Sequence, residues 1–511
     1  MSIKRSEFAI RILLVHPPRT VPERLTELFW GPPLGLAYLA AVAARDGHEV
    51  SILDAVGLYP VPLEEGRGAF RYGMEPHRIL ERVREFEPEL MGINCPYATV
   101  QGDALDLARL VKERYSADVP VVMGGAHASV ATADLLADPR VDMVVVGEGE
   151  VTFSELCRAI ESGGPIPDVD GVLRMRDGAP AGNARRDRIL DLDSLPAPRR
   201  DLLPMDTYDR IDSAGARIND MRHPKTSMLT SRGCPNDCIF CSIRCVWGPR
   251  WVARSPEAVV DEIESLVDGY GMRELYFLDD SMTSSRKRMK RICELIIDRG
   301  VDIRWVPSSG VTIKSLDEEL LRLMKRSGCY RLSFGLESGD PEVLSFIRKD
   351  YTYEQARRVI DYANRIGLWT VATFIVGMPF ETREQMERTA RYAIESGVDF
   401  ASIFCAAPYQ GTDLYDVYVR AGLEPPPDAS LVKGVTSTCM SAEEINAFRN
   451  AALKRFFRNR MLRPWKPLAK IRSLEDLRYV ARVAGLMILK ALYVKRSKPP
   501  VKPAERSATP G

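Results

Sequence analysis

No segment of the chain reaches the roughly 18 uncharged apolar residues that a membrane span requires; the longest candidate, residues 34–44, is too short. An excess of one charge sign is also missing. Seventy-one Lys and Arg face 70 Asp and Glu, a net of +1, which speaks against whole-chain attraction to nucleic acid. Ten cysteines in 511 residues are too sparse for a disulfide scaffold, and their clustering points to a reducing compartment. Residues 1–7 carry Lys4, Arg5 and Glu7 but not the apolar segment of a secretion signal. These absences lead to the expectation of a cytoplasmic chain with no nucleic-acid partner. What is present, 45% hydrophobic and 28% charged residues, is ordinary for a globular protein and excludes disorder throughout. At roughly 150 residues per domain the length suggests about three domains.

Short apolar runs at 10–15, 50–53, 90–94, 119–123 and 143–146 alternate with helix-like segments at 34–46, 77–87, 103–115 and 129–137. That alternation predicts a doubly wound parallel sheet covered on both faces, with ligands beyond the carboxyl ends of its strands. Those ends read His16-Pro17-Pro18, Asn94-Cys95-Pro96, Gly124-Gly125-Ala126-His127 and Gly147-Glu148-Gly149-Glu150. Glycines at two of them permit close backbone approach to a phosphate-rich ligand. No GxGxxG follows the first strand, so this is not the dinucleotide fingerprint. From 164 to 222 prolines break the pattern, and a linker with a small hairpin turning at Asp177-Gly178 is expected. Alternation resumes with strands near 227–230, 274–278, 303–306, 331–334, 370–376 and 400–405, which fit a partial (βα)6 barrel over 223–424. The remainder divides into a basic helical region, 425–498, and a tail, 499–511, expected to be disordered.

The densest chemical signal is Cys234-Pro235-Asn236-Asp237-Cys238-Ile239-Phe240-Cys241 on the loop leaving the first barrel strand. Three thiolates at spacings of four and three can wrap three corners of an iron–sulfur cube and leave the fourth iron open. The alternative is structural zinc with Cys245 as fourth ligand, but the second knuckle usual for zinc is missing. The scattered thiols Cys95, Cys157, Cys293, Cys329, Cys405 and Cys439 read as small buried hydrophobes, with Cys95 and Cys405 set apart by lying at or near strand ends.

The CxxxCxxC of Cys234, Cys238 and Cys241 resembles that of the radical S-adenosylmethionine (SAM) enzymes, and the likeness continues around the barrel. Phe277-Leu278-Asp279-Asp280 is similar to the segment that holds the methionine amino group in that family. Phe334-Gly335-Leu336-Glu337-Ser338-Gly339 is similar to the fourth-strand motif, whose acidic residue reaches the SAM ribose. The run from Phe374 to Thr382, with Gly377 and Pro379, resembles the fifth-strand motif beside the adenine, and Pro408 to Tyr415 the exit of the sixth strand. Each has a plainer alternative. Asp279 and Asp280 could cap the helix starting near Ser284, and Glu337 could pair with Arg348 or Lys349. Lys349 could instead meet the SAM carboxylate, and Gly377 and Pro379 could only shape a turn.

Given that likeness, the first half is similar to the cobalamin-binding, Rossmann-like domain preceding the barrel in a large subgroup of the family. The DxHxxG that puts a histidine on cobalt elsewhere is missing, which implies base-off cobalamin without a histidine ligand. Gly124, Gly125, His127, Gly147, Glu148, Gly149 and Glu150 are then the candidates for the cofactor's nucleotide tail; the plainer view of His127 is a helix-start residue. The resemblance implies a 4Fe–4S cluster, SAM and cobalamin as cofactors, and a flavodoxin or ferredoxin as electron donor. It implies a methyltransferase whose 5′-deoxyadenosyl radical takes hydrogen from an unactivated carbon of a small molecule, which then collects a methyl group from cobalamin. Two other functions remain: a non-methylating oxidative cyclase or rearrangement enzyme, and a cobalamin- or SAM-binding sensor. The C-terminal region carries two apolar stripes among Lys and Arg, one through Phe448, Phe456 and Leu462, the other through Val480, Val483 and Met487. They read either as helices closing the active site or as a peripheral contact with an anionic membrane, where a lipid-like substrate would lie.

Overall fold

The structure is a computed structural model in which residues 9–21, 31–58, 62–64, 70–163, 166–183, 186–211, 220–308, 310–425, 434–463 and 465–494 are described. The tail 499–511 lies outside them. Five parallel strands, Arg11–His16, Glu49–Asp54, Leu90–Asn94, Val121–Gly124 and Met143–Val145, pair in the spatial order second, first, third, fourth, fifth. The strand order reverses between the first and third strands, where open α/β sheets hold their ligands. Both faces are covered. Leu13 and Val15 pack with Ile79, Val83, Leu107 and Val111 on one side. Ile12 and Leu14 pack with Leu36, Ala40, Phe153 and Leu156 on the other. Burial on both faces explains why these strands read as continuous apolar runs rather than alternating ones.

The hairpin Val172–Arg176/Ala179–Gly182 forms as expected, with Asp177 (φ 49°) and Gly178 (φ 80°) both left-handed in its turn. It does not stand alone, however: it pairs antiparallel with Met143–Val145 and extends the sheet to seven strands.

The second half holds two three-stranded parallel sheets. Lys225–Met228, Glu274–Phe277 and Arg304–Pro307 form the first; Arg331–Glu337, Trp369–Val376 and Phe400–Cys405 form the second. Parallel bridges Trp305–Cys329 and Val311–Phe334 join them, and among the described residues no pairing closes the sixth strand onto the first. Helices Pro256–Tyr270, Arg286–Asp298, Glu318–Arg326, Tyr353–Arg365 and Arg383–Glu395 cover the outside through one apolar core.

The two C-terminal helices do not both close the active end. Ala442–Met461, started by a Ser441/Glu444 capping box, packs outside the last strand through Ile445, Phe448, Ala452 and Phe456. Leu474–Val494 lies under the barrel instead. Glu475 pairs with Arg222 and Arg304, and Tyr479 packs on Tyr330 and Trp369 where the strands begin. The apolar stripe told that this helix buries a face; the long-range partner it buries it against was not encoded in the stripe.

Candidate active site

The loop from Thr230 to Cys241 is pinned before it reaches its thiols. Asp279, fully buried at the end of the second strand, accepts from the Thr230 N–H at 2.9 Å, the Thr230 hydroxyl at 2.6 Å and the Ser231 hydroxyl at 3.1 Å. Arg288 donates to the Thr230 carbonyl at 2.9 Å. Asp280 accepts from the Gly233 N–H at 2.9 Å, and burial pushes its carboxyl up to about 6. Neither aspartate caps the next helix, a task done by Ser285, which accepts from the Arg288 N–H. Gly233 is required on two grounds: its φ is +83°, and a Cβ there would lie 2.5 Å from the Arg250 carbonyl.

Cys234, Cys238 and Cys241 are free thiols, half-buried on this one loop. Burial raises the Cys238 thiol and pushes that of Cys241 up to about 12. Cys245 donates to the Gly411 carbonyl at 2.9 Å. Cys95 and Cys405 are fully buried core thiols.

Beside the thiols stand Glu337 and Lys349, paired at 3.1 Å, with the ammonium 5.9 Å from the Phe240 ring centre. Glu337 (φ +58°) ends the fourth strand at a bulge and also accepts from the Thr373 hydroxyl at 3.3 Å. A side chain at Gly335 would overlap this pair, 2.4 Å from the Glu337 carboxylate. Arg348 turns instead to Asp237 (3.0 Å) and Asp413 (2.6 Å). Ser338 faces away from the thiols: its buried hydroxyl lies 3.0 Å from that of Thr389 and accepts from the Asp340 N–H. Gly377 (φ +85°) abuts Ile445 and donates its N–H to Glu381 at 2.6 Å, while the Pro379 carbonyl accepts from Thr438. Burial pushes Glu381 up to about 7, although two backbone N–H groups favour its charged form.

A cavity of about 490 Å³ opens between the two sheets. Its walls include His16, Asn94, Gly124, Gly125, Gly147, Glu148, Gly149 and Glu150 from the first, and Ser227, Arg232, Trp247 and Tyr276 from the second. His127 is not among them; its Nε2 lies 2.6 Å from Gln101 Oε1, in the turn ahead of the helix Thr132–Leu136. His16 lines the cavity at its strand end, with Nδ1 3.3 Å from Asn94 Nδ2, and burial lowers its imidazole below the ordinary histidine value. Glu148 and Glu150 are not free for a ligand: both pair with Arg232, two residues before Cys234. Arg232 was missed in the sequence, where a charge before a glycine carries no sign that it is buried.

Residues 228–393 match the radical SAM superfamily, and residues 28–157 match the B12 binding domain. An uncharacterized methyltransferase of Pyrococcus horikoshii is 34% identical over 415 residues, 81% of this chain and 84% of the relative. Cytidylyl-2-hydroxyethylphosphonate methyltransferase of Streptomyces wedmorensis is 31% identical, covering 78% and 79%. The chain belongs to the cobalamin-binding radical SAM enzymes. The radical SAM methyltransferase TsrM of Kitasatospora setae, solved with cobalamin and a 4Fe–4S cluster, has the same fold at TM-score 0.64 and 21% identity, over 86% of this chain and 81% of that one. At 28% identity, over 80% of the chain and 69% of the relative, the matches also include an anaerobic magnesium-protoporphyrin IX monomethyl ester cyclase of Rubrivivax gelatinosus.

The cofactors of a cobalamin-binding radical SAM enzyme are a 4Fe–4S cluster, SAM and cobalamin, and the donor sets here fit them. Zn–S bonds of ~2.3 Å draw all the ligands of a zinc ion together. Cys234, Cys238 and Cys241 are three free thiols on one loop, the donor type and number that three corners of a cluster take. Thiolates on separate corners of a cube stand farther apart, as three cysteines on a short loop can. The cavity wall has free space at Gly35 and Gly124, where an added Cβ would meet nothing closer than 3.8 Å.

Proposed function

We propose that the chain is a cobalamin-dependent radical SAM methyltransferase acting on an unactivated carbon of a small molecule. The observation that supports this reading is the cavity walled by the strand ends of the first sheet and by Arg232, Val246 and Trp247, which flank the three cysteines in sequence. When bound, the cluster and SAM would supply a 5′-deoxyadenosyl radical, and cobalamin would supply the methyl group. Cys234, Cys238 and Cys241 hold the cluster. Asp279 fixes their loop, so its contribution to SAM binding is indirect, while Asp280 keeps a carboxylate oxygen for the methionine amino group. Glu337 and Lys349, paired beside the cysteines, are the residues that would meet ribose and carboxylate, and the turn at Gly377 and Pro379 would back the adenine. Gly124 leaves room for cobalamin, which binds base-off, and Gly125, Gly147 and Gly149 line the same wall; His16→Ala is expected to leave its spectrum unchanged. A flavodoxin or ferredoxin supplies the electron.

The units divide near 183, after the hairpin, with a linker to about 222, the barrel to 424 and the helices beyond. The cyclase relative favours a second reading, the same cofactors without methylation. Products separate the two: S-adenosylhomocysteine with 5′-deoxyadenosine for methyl transfer, 5′-deoxyadenosine alone for the alternative.

The C-terminal region also fits a peripheral contact with an anionic membrane, which would keep the enzyme near the inner face of the cytoplasmic membrane. No described helix is long and apolar enough to cross a membrane. Met461, Leu462, Trp465, Leu468, Leu474 and Leu477 are exposed, from 48% (Leu477) to 68% (Leu462). From 445 to 474 the chain has nine basic residues and no acidic one. An apolar fringe with tryptophan and cations suits the headgroup region of a bilayer. Flotation with anionic but not neutral liposomes, lost on Leu462→Glu/Trp465→Glu, supports the contact; equal behaviour of both proteins removes it.

A further inference from the structure

Arg232 occupies an unusual place. It precedes Gly233-Cys234 on the cluster loop, yet its guanidinium is buried in the first unit's territory. One nitrogen, Nη1, donates to Glu148 at 2.8 Å and to Glu150 at 3.3 Å, and Nη2 donates to Glu150. Glu148 also accepts from Arg188 Nε at 2.9 Å and from the Ile189 N–H at 2.8 Å. Arg188 completes the circuit by donating to the carbonyls of Trp247 and Arg250 on the far side of the cysteine loop. Two carboxylates therefore face two guanidinium groups, a balanced set with little access to water.

The same groups form part of the cavity wall. Glu148, Glu150, Arg232 and Trp247 line it together with Tyr38, whose ring centre is 5.7 Å from the Arg232 guanidinium; that of Trp247 is 5.5 Å away. Glu148 and Glu150 start the helix Gly149–Glu161, so a ligand pressing on Gly147–Glu150 presses on the partners of Arg232. On its other side Arg232 has no slack. Ser231-Arg232 pairs with Val252-Ala253, and the flanking Thr230 and Gly233 are held by Asp279 and Asp280. A displacement of the glutamates is passed by a bidentate, charged contact to a loop whose next residues are Gly233 and Cys234.

We infer that Arg232 couples the two cofactor sites, so that loading the cysteine loop changes the affinity of the cavity for cobalamin and the reverse. Arg232 is a positioning residue in this scheme and need touch neither cofactor. The inference rests on the cobalamin and cluster assignments proposed above, and reciprocity is its thermodynamic content: each site must shift the other by the same factor.

The test is equilibrium dialysis of the full-length chain against hydroxocobalamin, read as bound cobalt, with the cluster reconstituted and with it removed. In the wild-type chain the two affinities are expected to differ by about five-fold or more, the lower end of usual coupling. Arg232→Gln, and separately Glu148→Gln/Glu150→Gln, should bring the two affinities together; Arg232→Lys, which keeps the charge but not the fork, should restore part of the difference. A residue that only stabilised the fold would weaken both affinities and leave their ratio alone. Should one variant fail to melt cooperatively, the other decides. A ratio near one in the wild-type chain, or one that survives in the folded variants, overturns the coupling. Absence of cobalamin uptake by the wild-type chain contradicts the cobalamin assignment itself, and the coupling with it.

Discussion

Asp279 and Glu381 show how a carboxylate next to an active site can work through the backbone. Asp279 gathers Thr230 and Ser231; Glu381 gathers the N–H groups of Gly377 and Met378, with its other oxygen buried and unpartnered. The carboxyl of Glu381 is pushed by burial up to about 7 from an ordinary 4.5. A group whose folded value is raised gives its full stability below the unfolded value and loses it as pH rises through the folded one. The stability advantage of Glu381→Gln over wild type should therefore grow between about pH 4.5 and 7 by up to about 3 kcal/mol and stay level above that. Unfolding midpoints of both proteins across that window check it, and an advantage that shrinks with rising pH contradicts it. The thiols give a second residue-scale prediction. Alanine at Cys234, Cys238 or Cys241 should abolish both iron retention and SAM cleavage, while Cys245→Ala, which removes the contact with the Gly411 carbonyl, should retain four irons per chain within error. Iron quantitation decides; a Cys245→Ala chain as iron-poor as the others would remove the three-ligand assignment. The three cysteines were legible in the sequence because their spacing is local. The engagement of Asp279, the turn of Ser338 toward Thr389 and the burial of Arg232 were not, since each depends on a partner 49 to 84 residues away.

Among the elements, the parallel strands were legible for a physical reason. Burial on both faces removes polar residues from them, so apolar runs such as Leu90–Asn94 stand out between turns. Edge pairing leaves no such mark. Nothing local in Val172–Arg176 tells whether its hairpin stands alone or joins the strand Met143–Val145, which it does. The C-terminal helix Leu474–Val494 is a similar case: Tyr479 sits fully buried with its ring centre 5.7 Å from that of Tyr330 and 5.3 Å from that of Trp369, at the end of the barrel remote from the thiols. Truncating it removes the centre of this plug. Tyr479→Ala should cost about 3–5 kcal/mol, as other buried aromatic truncations do. Tyr479→Phe, losing only a long contact from Arg331, should cost about 1 kcal/mol or less. Denaturant unfolding of the two variants measures both; a mild Tyr479→Ala would mean that the helix is not a structural plug.

Across the whole molecule, two units line one cavity and are joined by buried ion pairs such as that of Arg232 with Glu148 and Glu150, while Met205 packs against the apolar cores of both. Such an arrangement can open to admit a large cofactor and close again, the buried carboxylates remaining matched to guanidinium groups when closed. The central claim is that cobalamin occupies that cavity, between the strand ends of the first sheet and the cysteine loop. Gly124 lines it with room for a side chain, since an added Cβ would meet only Val145 at 3.8 Å, and its φ is not left-handed. The most direct measurement is therefore the binding of hydroxocobalamin to cluster-loaded wild type and Gly124→Phe chains, by dialysis and cobalt analysis. The account predicts one cobalamin per wild-type chain and an affinity at least about ten-fold weaker when the aromatic ring fills the space, a loss of about 1.4 kcal/mol. Equal binding by the two chains, or none by the wild type, would contradict it.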